Sequence, residues 1–375
     1  MNTTSTLAGD AAPDVLSEVH GHVGLITLNR PKALNALSLS MIRSLTQCLL
    51  AWRDDPAVAA VAIRGIGKAG PYGAFCAGGD IRFFHAAALA GNPELEDFFT
   101  EEYALNHLIH SYPKPYIAFM DGIVMGGGMG ISQGAQLRIV TERTKMAMPE
   151  TNIGLFPDVG GGYFLSRCPG RSGEWLALTG ELIGAGAALE FGLADTCFDA
   201  ARLESAWQAL ASADFARPGA IDQWQAMFSI ASPAYSMRAA GQIDHYFGLP
   251  SVFDIVQALE ADGSEWAQHT GATLRRRSPL MLHVVLEQIR RARAMSLADD
   301  LRMERDMVHH CFHPHHLGRS ASQSETVEGI RALAVDKDNT PRWKPARIED
   351  VSTEMVTPFF SSPWTPQTHP LRELN

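Results

Sequence analysis

The sequence lacks the features that mark secreted, membrane-spanning and nucleic-acid-binding chains. No uninterrupted apolar run approaches the length of a membrane span. Residues 1–14 contain no Lys or Arg and no apolar core, so they resemble neither a signal peptide nor a transit peptide. The formal net charge of −10 argues against broad nucleic-acid binding. We therefore expect a cytoplasmic protein that binds neither a membrane nor a nucleic acid.

Paired cysteines and nucleotide-binding loops are also missing. The five cysteines are odd in number, and none forms a CxxC pair; they are Cys48, Cys76, Cys168, Cys197 and Cys311. This pattern predicts free thiols in a reducing compartment. The phosphate-loop motif Gly-x-x-x-x-Gly-Lys-Ser/Thr is absent. Gly126, Gly128 and Gly130 do not complete a GxGxxG fingerprint, because Ser132 and Gln133 follow them.

The apolar pattern predicts an α/β domain followed by a mainly helical region. Hydrophobic residues make up 46% of the 375 residues, which is enough for a buried core. Up to about residue 200 strand-like and helix-like segments alternate. The expected strands are 23–28, 58–63, 116–120, 136–141 and 145–148. The expected helices are 38–53, capped by Ser38, and 94–110, followed later by 202–211, 280–294 and 297–308. We predict a flexible N-terminus over 1–15, a core over 16–202 and a helical region over 203–375 that covers the core.

Two glycine-rich segments and a short acidic element carry the candidate chemistry. The glycine segments are 75–80 (FCAGGD) and 126–130 (GGGMG), and the acidic element is 149–158 (PETNIGLFPD). Glycine lets a backbone with unpaired amide hydrogens approach a ligand closely, and two such amides aimed at one carbonyl oxygen form an oxyanion hole. For either glycine segment alone, a tight turn or close helix packing is the alternative. Cys76 has no paired histidine nearby and is interpreted as a packing residue.

Further motifs resemble a known family. The segment 29–37 (NRPKALNAL), the glycine segments and Pro149-Glu150 resemble the enoyl-CoA hydratase/isomerase, or crotonase, superfamily. A second group of segments resembles its 3-hydroxyisobutyryl-CoA hydrolase subgroup: 156–165 (FPDVGGGYFL), 328–332 (EGIRA), 336–338 (DKD) and 341–345 (PRWKP). The resemblance implies a crotonase-type spiral of ββα units and an acyl-CoA substrate. It implies no metal or redox cofactor, and homo-oligomers are expected because the superfamily often forms trimers or their dimers.

The resemblance also implies roles for individual residues. By position, the amides of Ala77 and Gly127 hold the thioester oxygen, Glu150 is the catalytic glutamate and Asp158 is the second acidic residue of the subgroup. Glu102 matches a glutamate that contacts the substrate. The other candidate binding residues follow Ala77 in the first glycine segment: Gly78, Gly79 and Asp80. Without the resemblance, Glu102 reads as a solvated helix residue, and a turn or helix cap is an equal alternative for Asp158.

One departure from the superfamily favours hydrolysis over hydration. Hydratases usually carry a second glutamate at the position of Gly130, whereas Asp158 stands where they commonly have glycine. Since hydration needs two acid/base groups around one water, we expect hydrolysis of a short 3-hydroxyacyl-CoA, with 3-hydroxyisobutyryl-CoA of valine breakdown as the substrate. Glu150 could attack the carbonyl directly or act as a general base. Enoyl-CoA hydration or isomerisation is one alternative, and non-catalytic acyl-CoA binding is the other.

Two clusters are interpreted as structural. His309 and His313 have the i, i+4 spacing of helical zinc ligands, but Pro314 follows them and no further ligand has a recognisable spacing. The arginines within 275–277 and 290–293 could meet CoA phosphates. For both arginine groups, the preferred interpretation is a solvated helix face or a salt-bridge patch. We therefore predict no metal site.

Overall fold

Nine strands form two sheets in the computed structural model, which describes residues 12–231, 233 and 240–375. In chain order they are β1 (Val15–His20), β2 (Val23–Leu28), β3 (Ala60–Gly65), β4 (Ala74–Cys76), β5 (Tyr116–Met120), β6 (Ile123–Met125), β7 (Leu137–Thr141), β8 (Lys145–Ala147) and β9 (Thr196–Phe198). The larger sheet has the order β1-β2-β3-β5-β7-β9 and the smaller sheet the order β4-β6-β8. β1 is antiparallel to β2, and the other pairs are parallel.

Successive strands alternate between the two sheets. β3, β5 and β7 belong to the large sheet, and the strand that follows each of them, β4, β6 or β8, belongs to the small sheet. Each turn of the chain therefore adds one strand to each sheet, which winds the first half into a spiral. A helix follows β4 and another follows β6, at Ile81–Ala90 and Gly127–Gln133.

Helices surround the sheets and account for most of the second half. The remaining described α-helices are Leu39–Arg53, Glu94–His110, Gly161–Leu165, Ser172–Thr179, Ala185–Glu190, Leu203–Ala209, Ala220–Ala226, Ala240–Phe247, Val252–Ala261, Glu265–Arg276, Pro279–Ala292, Leu297–Phe312, Glu325–Ile330 and Thr353–Val356. No strand follows Phe198 in the described part of the chain. Within the same residues, none of the helices combines the length and the apolar content needed to cross a bilayer.

Both faces of the large sheet are covered. Along β2, Ile26 and Leu28 face the larger core, whereas Val23 and Leu25 face a second apolar cluster. This two-sided burial explains why β2 is apolar over most of its length. The larger core also joins the two halves of the chain, because the ring of Phe312 lies 5.5 Å from that of Phe99 between centroids.

The sequence predicted the long helices better than the short strands. Leu39–Arg53 and Glu94–His110 agree with prediction, and the Ser38 hydroxyl accepts a hydrogen bond from the Met41 amide at 3.3 Å. The second predicted strand begins two residues late, at Ala60, and β1 was not predicted. Of the predicted flexible N-terminus, 1–11 lies outside the described residues. β1 begins at Val15, inside the predicted segment.

Candidate active site

The small sheet brings three loops together at one edge. Because β4, β6 and β8 are parallel, their carboxyl ends lie side by side. The first glycine segment follows β4, the second follows β6, and Pro149-Glu150 follows β8. A cavity of about 220 Å³ opens at this edge, between these loops and side chains from later in the chain. Its lining includes most of the predicted site residues, namely Ala77, Gly78, Gly79, Glu102, Gly127, Glu150 and Asp158.

Two backbone amides approach each other in this cavity. A β-carbon at Gly127 would lie 3.4 Å from the Gly79 nitrogen and 2.6 Å from Glu102 Oε1, so only glycine fits there without a shift. Among the described residues, neither the Gly79 nor the Gly127 amide has a hydrogen-bond acceptor. Both amides are therefore available to a ligand in the cavity.

The prediction that Ala77 supplies one of these amides does not agree with the hydrogen bonding. The Ala77 amide donates to the Leu34 carbonyl at 3.0 Å, as part of the contact between the first glycine segment and the loop before the Leu39–Arg53 helix. The Gly79 amide of this segment has no acceptor among the described residues. The motif identified the segment. Which of its amides is free depends on the hydrogen bond between Ala77 and Leu34, two residues that are far apart in the sequence.

Asp80 also lies outside the binding site in which it was predicted. Its Oδ1 accepts a hydrogen bond from the Phe83 amide at 3.3 Å, which caps the Ile81–Ala90 helix. Its Oδ2 forms an ion pair with Arg30 at 2.8 Å. Both carboxylate oxygens are thus used within the protein. Asp80 is the one predicted binding residue that does not line the cavity.

Glu150 lines the cavity and has a buried, unpaired carboxyl oxygen. It begins the short 3-10 helix Glu150–Ile153 and is only 6% exposed. Its buried Oε2 has no hydrogen-bond partner among the described residues. Burial raises the pKa of Glu150 well above its ordinary value, and the negative charge of Asp158 raises it further. An unpaired buried carboxyl group is costly unless a ligand uses it.

Asp158 is held by a tyrosine from another element. The Tyr103 hydroxyl donates to Asp158 Oδ2 at 2.9 Å, and both residues are buried. Burial raises the pKa of Asp158 to about 7, although the hydrogen bond from Tyr103 opposes this shift. Asp158 is therefore neither a solvated turn residue nor the cap of a helix.

Glu102 belongs to the Glu94–His110 helix and lines the same cavity as Glu150 and Asp158. It is 2% exposed, which excludes the interpretation as a solvated helix residue. Its Oε1 is buried without a hydrogen-bond partner in the described structure. Burial raises the pKa of Glu102 well above its ordinary value, and the charges of Asp158 and Glu150 add to the shift. Three carboxyl groups therefore share one cavity with two free amides.

Sequence reasoning missed the residues that hold the Asp158 loop. The amides of Gly160 and Gly162 donate to Glu304 Oε2 and Oε1 at 2.7 and 2.9 Å. Gln288 Nε2 donates to the Pro157 carbonyl at 2.6 Å. Glu304 and Gln288 are fully buried on two C-terminal helices, so this region positions a loop of the site. The sequence signal that could have identified these residues is the presence of polar side chains on the otherwise apolar faces of those helices.

Cys76 has the packing role predicted for it. It is fully buried at the end of β4, and its thiol donates to the Asn35 carbonyl at 3.1 Å. Burial raises the pKa of this thiol to about 12. A thiol that stays protonated at neutral pH is a poor nucleophile.

A larger basic cavity of about 420 Å³ adjoins the acidic one. The two cavities share Asn152 and Leu333 in their linings, and the second contains Arg275, Arg276 and Arg277. Arg275 forms ion pairs with two carboxylates, at nitrogen–oxygen distances of 2.7 and 2.6 Å, as predicted for a salt-bridge patch. Arg277 Nη1 donates to Asn152 Oδ1 at 2.9 Å, on the wall between the cavities.

Arg276 lacks the carboxylate partners that Arg275 has. Its Nη2 donates to the Thr273 hydroxyl at 3.3 Å, and among the described residues it forms no ion pair with a carboxylate. Trp343 lines the same cavity, and its indole N–H donates to the Arg276 carbonyl at 3.2 Å. The lining of the basic cavity therefore includes a guanidinium group that has no carboxylate partner in the described structure, and an aromatic residue.

The space around Gly130 is filled by two side chains. A β-carbon at Gly130 would lie 2.6 Å from Val159 Cβ and 2.9 Å from Asn106 Nδ2. Contacts this short require the neighbours to move. A glutamate at this position could not enter the site in the present backbone arrangement.

Comparison with known proteins identifies the family. A profile described as enoyl-CoA hydratase/isomerase matches residues 23–360. The chain belongs to this family. Two solved structures are similar to it over nearly their whole length. A carnitinyl-CoA dehydratase from Mycobacterium thermoresistibile has a TM-score of 0.85 at 38% identity, with 94% of this chain and 97% of that chain covered. An enoyl-CoA hydratase from Rhodobacter sphaeroides 2.4.1 has a TM-score of 0.83 at 36% identity, covering 94% and 98%. The predicted crotonase-type fold is confirmed.

Curated relatives within the family carry another activity in their names. The mitochondrial 3-hydroxyisobutyryl-CoA hydrolase of Danio rerio is 41% identical over 364 residues, which cover 95% of this chain and 91% of that protein. The protein of the same name from Homo sapiens is 38% identical over 371 residues, covering 94% and 90%. The prediction of a cytoplasmic location is wrong by this comparison, because these relatives are mitochondrial.

Proposed function

We propose that this family member hydrolyses the thioester of 3-hydroxyisobutyryl-CoA to 3-hydroxyisobutyrate and CoA. One observation carries the proposal: the free amides of Gly79 and Gly127 share a cavity with the unpaired carboxyl groups of Glu150 and Glu102. The relatives that carry this activity in their names, at about 40% identity over most of the chain, support it.

The two amides bind the carbonyl group of the thioester. Both N–H groups donate to its oxygen, which becomes negatively charged when a nucleophile adds to the carbon. Each preorganised donor of this kind stabilises the transition state by about 3 kcal/mol. The surroundings of the cavity are less polar than water, which strengthens these interactions.

Glu150 supplies the base or the nucleophile. As a general base it removes a proton from water, the resulting hydroxide adds to the carbonyl carbon, and the C–S bond breaks to release CoA thiolate. As a nucleophile it forms a mixed anhydride with loss of CoA thiolate, and water then hydrolyses the anhydride. Its unpaired oxygen supports both routes, which remain alternatives.

Glu102 and Asp158 recognise the 3-hydroxyl group of the substrate. Both carboxyl groups lie in the same buried cavity as Glu150, and the unpaired Oε1 of Glu102 offers a hydrogen-bond partner. A buried polar group that would be left without a partner discriminates strongly against an analogue that lacks the hydroxyl. This favours a 3-hydroxyacyl group over a simple acyl chain.

Crowding at Gly130 argues against hydration of a double bond. The space in which a second glutamate would be needed is occupied by Val159 and Asn106. Hydration requires two acid/base groups around one water, whereas hydrolysis needs only one. This contact favours the hydrolase over the enoyl-CoA hydratase, although structural neighbours are named as a hydratase and a dehydratase.

A thioesterase screen tests the proposal against both alternatives. Purified protein is mixed with 3-hydroxyisobutyryl-, 3-hydroxypropionyl- and crotonyl-CoA, and free thiol and enoyl absorbance are followed in parallel. We expect thiol release to be fastest with 3-hydroxyisobutyryl-CoA. Loss of enoyl absorbance without thiol release indicates a hydratase. Tight binding of every ester without turnover indicates a non-catalytic acyl-CoA-binding protein.

A further inference from the structure

Two imidazoles and a distant carboxylate meet on the surface of the C-terminal region. His309 lies in the last turn of the Leu297–Phe312 helix, and His313 is its C-terminal cap. Glu96 comes from the first turn of the Glu94–His110 helix, far away in the sequence. The sequence offered two histidines with no recognisable third ligand, and the fold supplies one. This cluster lies outside both cavities described above.

The distances fit a tetrahedral metal ion. Glu96 Oε1 lies 2.9 Å from His313 Nε2 and 3.5 Å from His309 Nδ1. All three ligand atoms lie within 4.8 Å of one another. Zinc bonds to nitrogen and oxygen are about 2.1 Å long, which separates tetrahedral ligands by about 3.4 Å. The side chains of all three residues are partly exposed, so an ion can reach them from solvent.

One of the ligand atoms lacks any other partner. His309 Nδ1 is buried and makes no hydrogen bond in the described structure. A buried ring nitrogen without a partner is costly, and a metal ion compensates for that cost. This atom faces the oxygen of Glu96, and not the solvent.

Surrounding residues hold the carboxylate in place. Arg305 forms an ion pair with Glu96 Oε2, which leaves Oε1 for the two imidazoles. The guanidinium group of Arg305 lies 4.7 Å from the ring of Trp364, which also contacts the His309 ring at 5.1 Å. Such outer contacts orient metal ligands. Because Arg305 offsets part of the negative charge, the site favours an ion that binds imidazole over Mg²⁺ or Ca²⁺.

We propose that Glu96, His309 and His313 bind one zinc ion, with water as the fourth ligand. The ion joins the helix that carries Glu102 and Tyr103 to the helix that carries Glu304. Its role is to hold these two helices together, and it does not depend on the proposed thioester chemistry.

Zinc retention tests the site. Untagged protein is treated with a chelator, mixed with an equimolar amount of ZnCl₂ and desalted. Its zinc content per chain is then measured by elemental mass spectrometry. We expect one zinc ion per chain in the wild type and in the control His315→Ala, which removes an exposed histidine of the same segment. Glu96→Gln and His313→Ala should each lose the ion while keeping the far-ultraviolet circular dichroism of the wild type.

A second measurement separates this site from adventitious binding. Zinc should raise the Tm of the wild type and of His315→Ala, and leave that of His313→Ala unchanged, because only an ion bound to the folded site stabilises it. Failure of the wild type to retain zinc overturns the proposal. Equal retention by the wild type and His313→Ala overturns it as well, since the ion would then be bound elsewhere.

Discussion

At the scale of single residues, the unpaired oxygen of Glu150 distinguishes this site from an ordinary buried ion pair. A structural carboxylate is normally satisfied by amides or a cation, as Asp80 is by Phe83 and Arg30. Glu150 Oε2 is buried without either kind of partner among the described residues. Burial raises its pKa, and the negative charge of Asp158 raises it further instead of neutralising it. Such an arrangement is typical of groups that gain their partner from a substrate.

Replacement of Glu150 by glutamine should abolish most of the turnover and preserve binding. Glutamine keeps the shape of the side chain but can neither attack the carbonyl nor accept a proton from water. We expect kcat to fall about a hundredfold or more, measured by thiol release. Calorimetry should detect ligand binding in the variant.

A matched control is available one residue before Glu102. Glu101 pairs with Arg43 at 2.6 Å on the outer face of its helix, so Glu101→Gln should keep the kcat of the wild type. Turnover by Glu150→Gln at the rate of the wild type would remove Glu150 from the chemistry.

The pH dependence of the reaction should report the interaction between Glu150 and Asp158. Burial raises the pKa of Asp158 to about 7, and the charge of Asp158 contributes to the raised pKa of Glu150. Hydrolysis needs ionised Glu150, so kcat/KM should fall as the pH decreases through the range in which this pair takes up protons. Asp158→Asn removes the charge that opposes ionisation of Glu150.

The acid limb of kcat/KM should therefore lie at lower pH in Asp158→Asn, even though the rate itself falls. Initial rates from roughly pH 5 to pH 9 with both proteins measure this shift. An acid limb that stays at the same pH would contradict electrostatic interaction between the two carboxyl groups.

At the scale of elements, the loop with Asp158 depends on helices from the C-terminal region. Glu304 and Gln288 bind it through the amides of Gly160 and Gly162 and the carbonyl of Pro157. Val159, next to Asp158, has a φ of +57°, a conformation that is strained for a β-branched residue. These hydrogen bonds offset the strain, and Val159 in turn packs against Gly130.

The contact between Gly130 and Val159 makes an alanine substitution informative. Gly130→Ala places a methyl group 2.6 Å from Val159 Cβ, and such overpacking should destabilise the protein by about 2 kcal/mol. Displacement of Val159 should also lower kcat, because Asp158 precedes it. Urea unfolding and thiol release measure the two effects.

Gly241→Ala provides a control of opposite sign. Gly241 lies in the Ala240–Phe247 helix, and no atom of the described residues lies within 4 Å of a β-carbon built there. Alanine at this helical position should stabilise the protein by about 0.5 kcal/mol, because it has the higher helix propensity. If both substitutions changed the stability by the same amount, crowding at Gly130 would not explain the result.

At the scale of the whole molecule, the acidic and basic cavities together suit the two ends of an acyl-CoA. We propose that the acidic cavity takes the acyl group and that the adjoining basic cavity, lined by Arg276 and Trp343, takes the phosphates and the adenine. Arginine binds phosphate through several N–H groups and stacks on aromatic rings. This division extends the proposed function and rests on it.

Arg276→Ala should raise KM for the CoA thioester about tenfold, with a smaller effect on kcat, because phosphate binding is made equally in the ground state and the transition state. KM for the corresponding pantetheine thioester, which has no nucleotide, should stay unchanged. Arg217→Ala, an exposed arginine outside both cavities, should leave both constants unchanged. An equal loss with the CoA and pantetheine esters would show that Arg276 does not contact the nucleotide part.

Much of the fold was predictable from the sequence because it depends on local periodicity. The long helices Leu39–Arg53 and Glu94–His110 have regular apolar spacing, and the former has a serine cap. The three-residue strands β4 and β6 are too short to carry such a signal, and their limits depend on pairing with each other and with β8. The division at residue 202 remains a prediction, although side chains from both parts share the larger core.

The motifs of the sequence predicted the family by their resemblance to it, and with it the two glycine segments and the carboxylates Glu150 and Asp158 as site residues. Only the tertiary structure decided that Gly79 and not Ala77 offers its amide, because the Leu34 carbonyl takes the Ala77 hydrogen. It also decided that Glu102 is buried beside two other carboxyl groups and that Glu96 faces His309 and His313. Hydrogen bonding, desolvation and metal ligation depend on distances between atoms, and chain folding sets those distances for residues far apart in sequence.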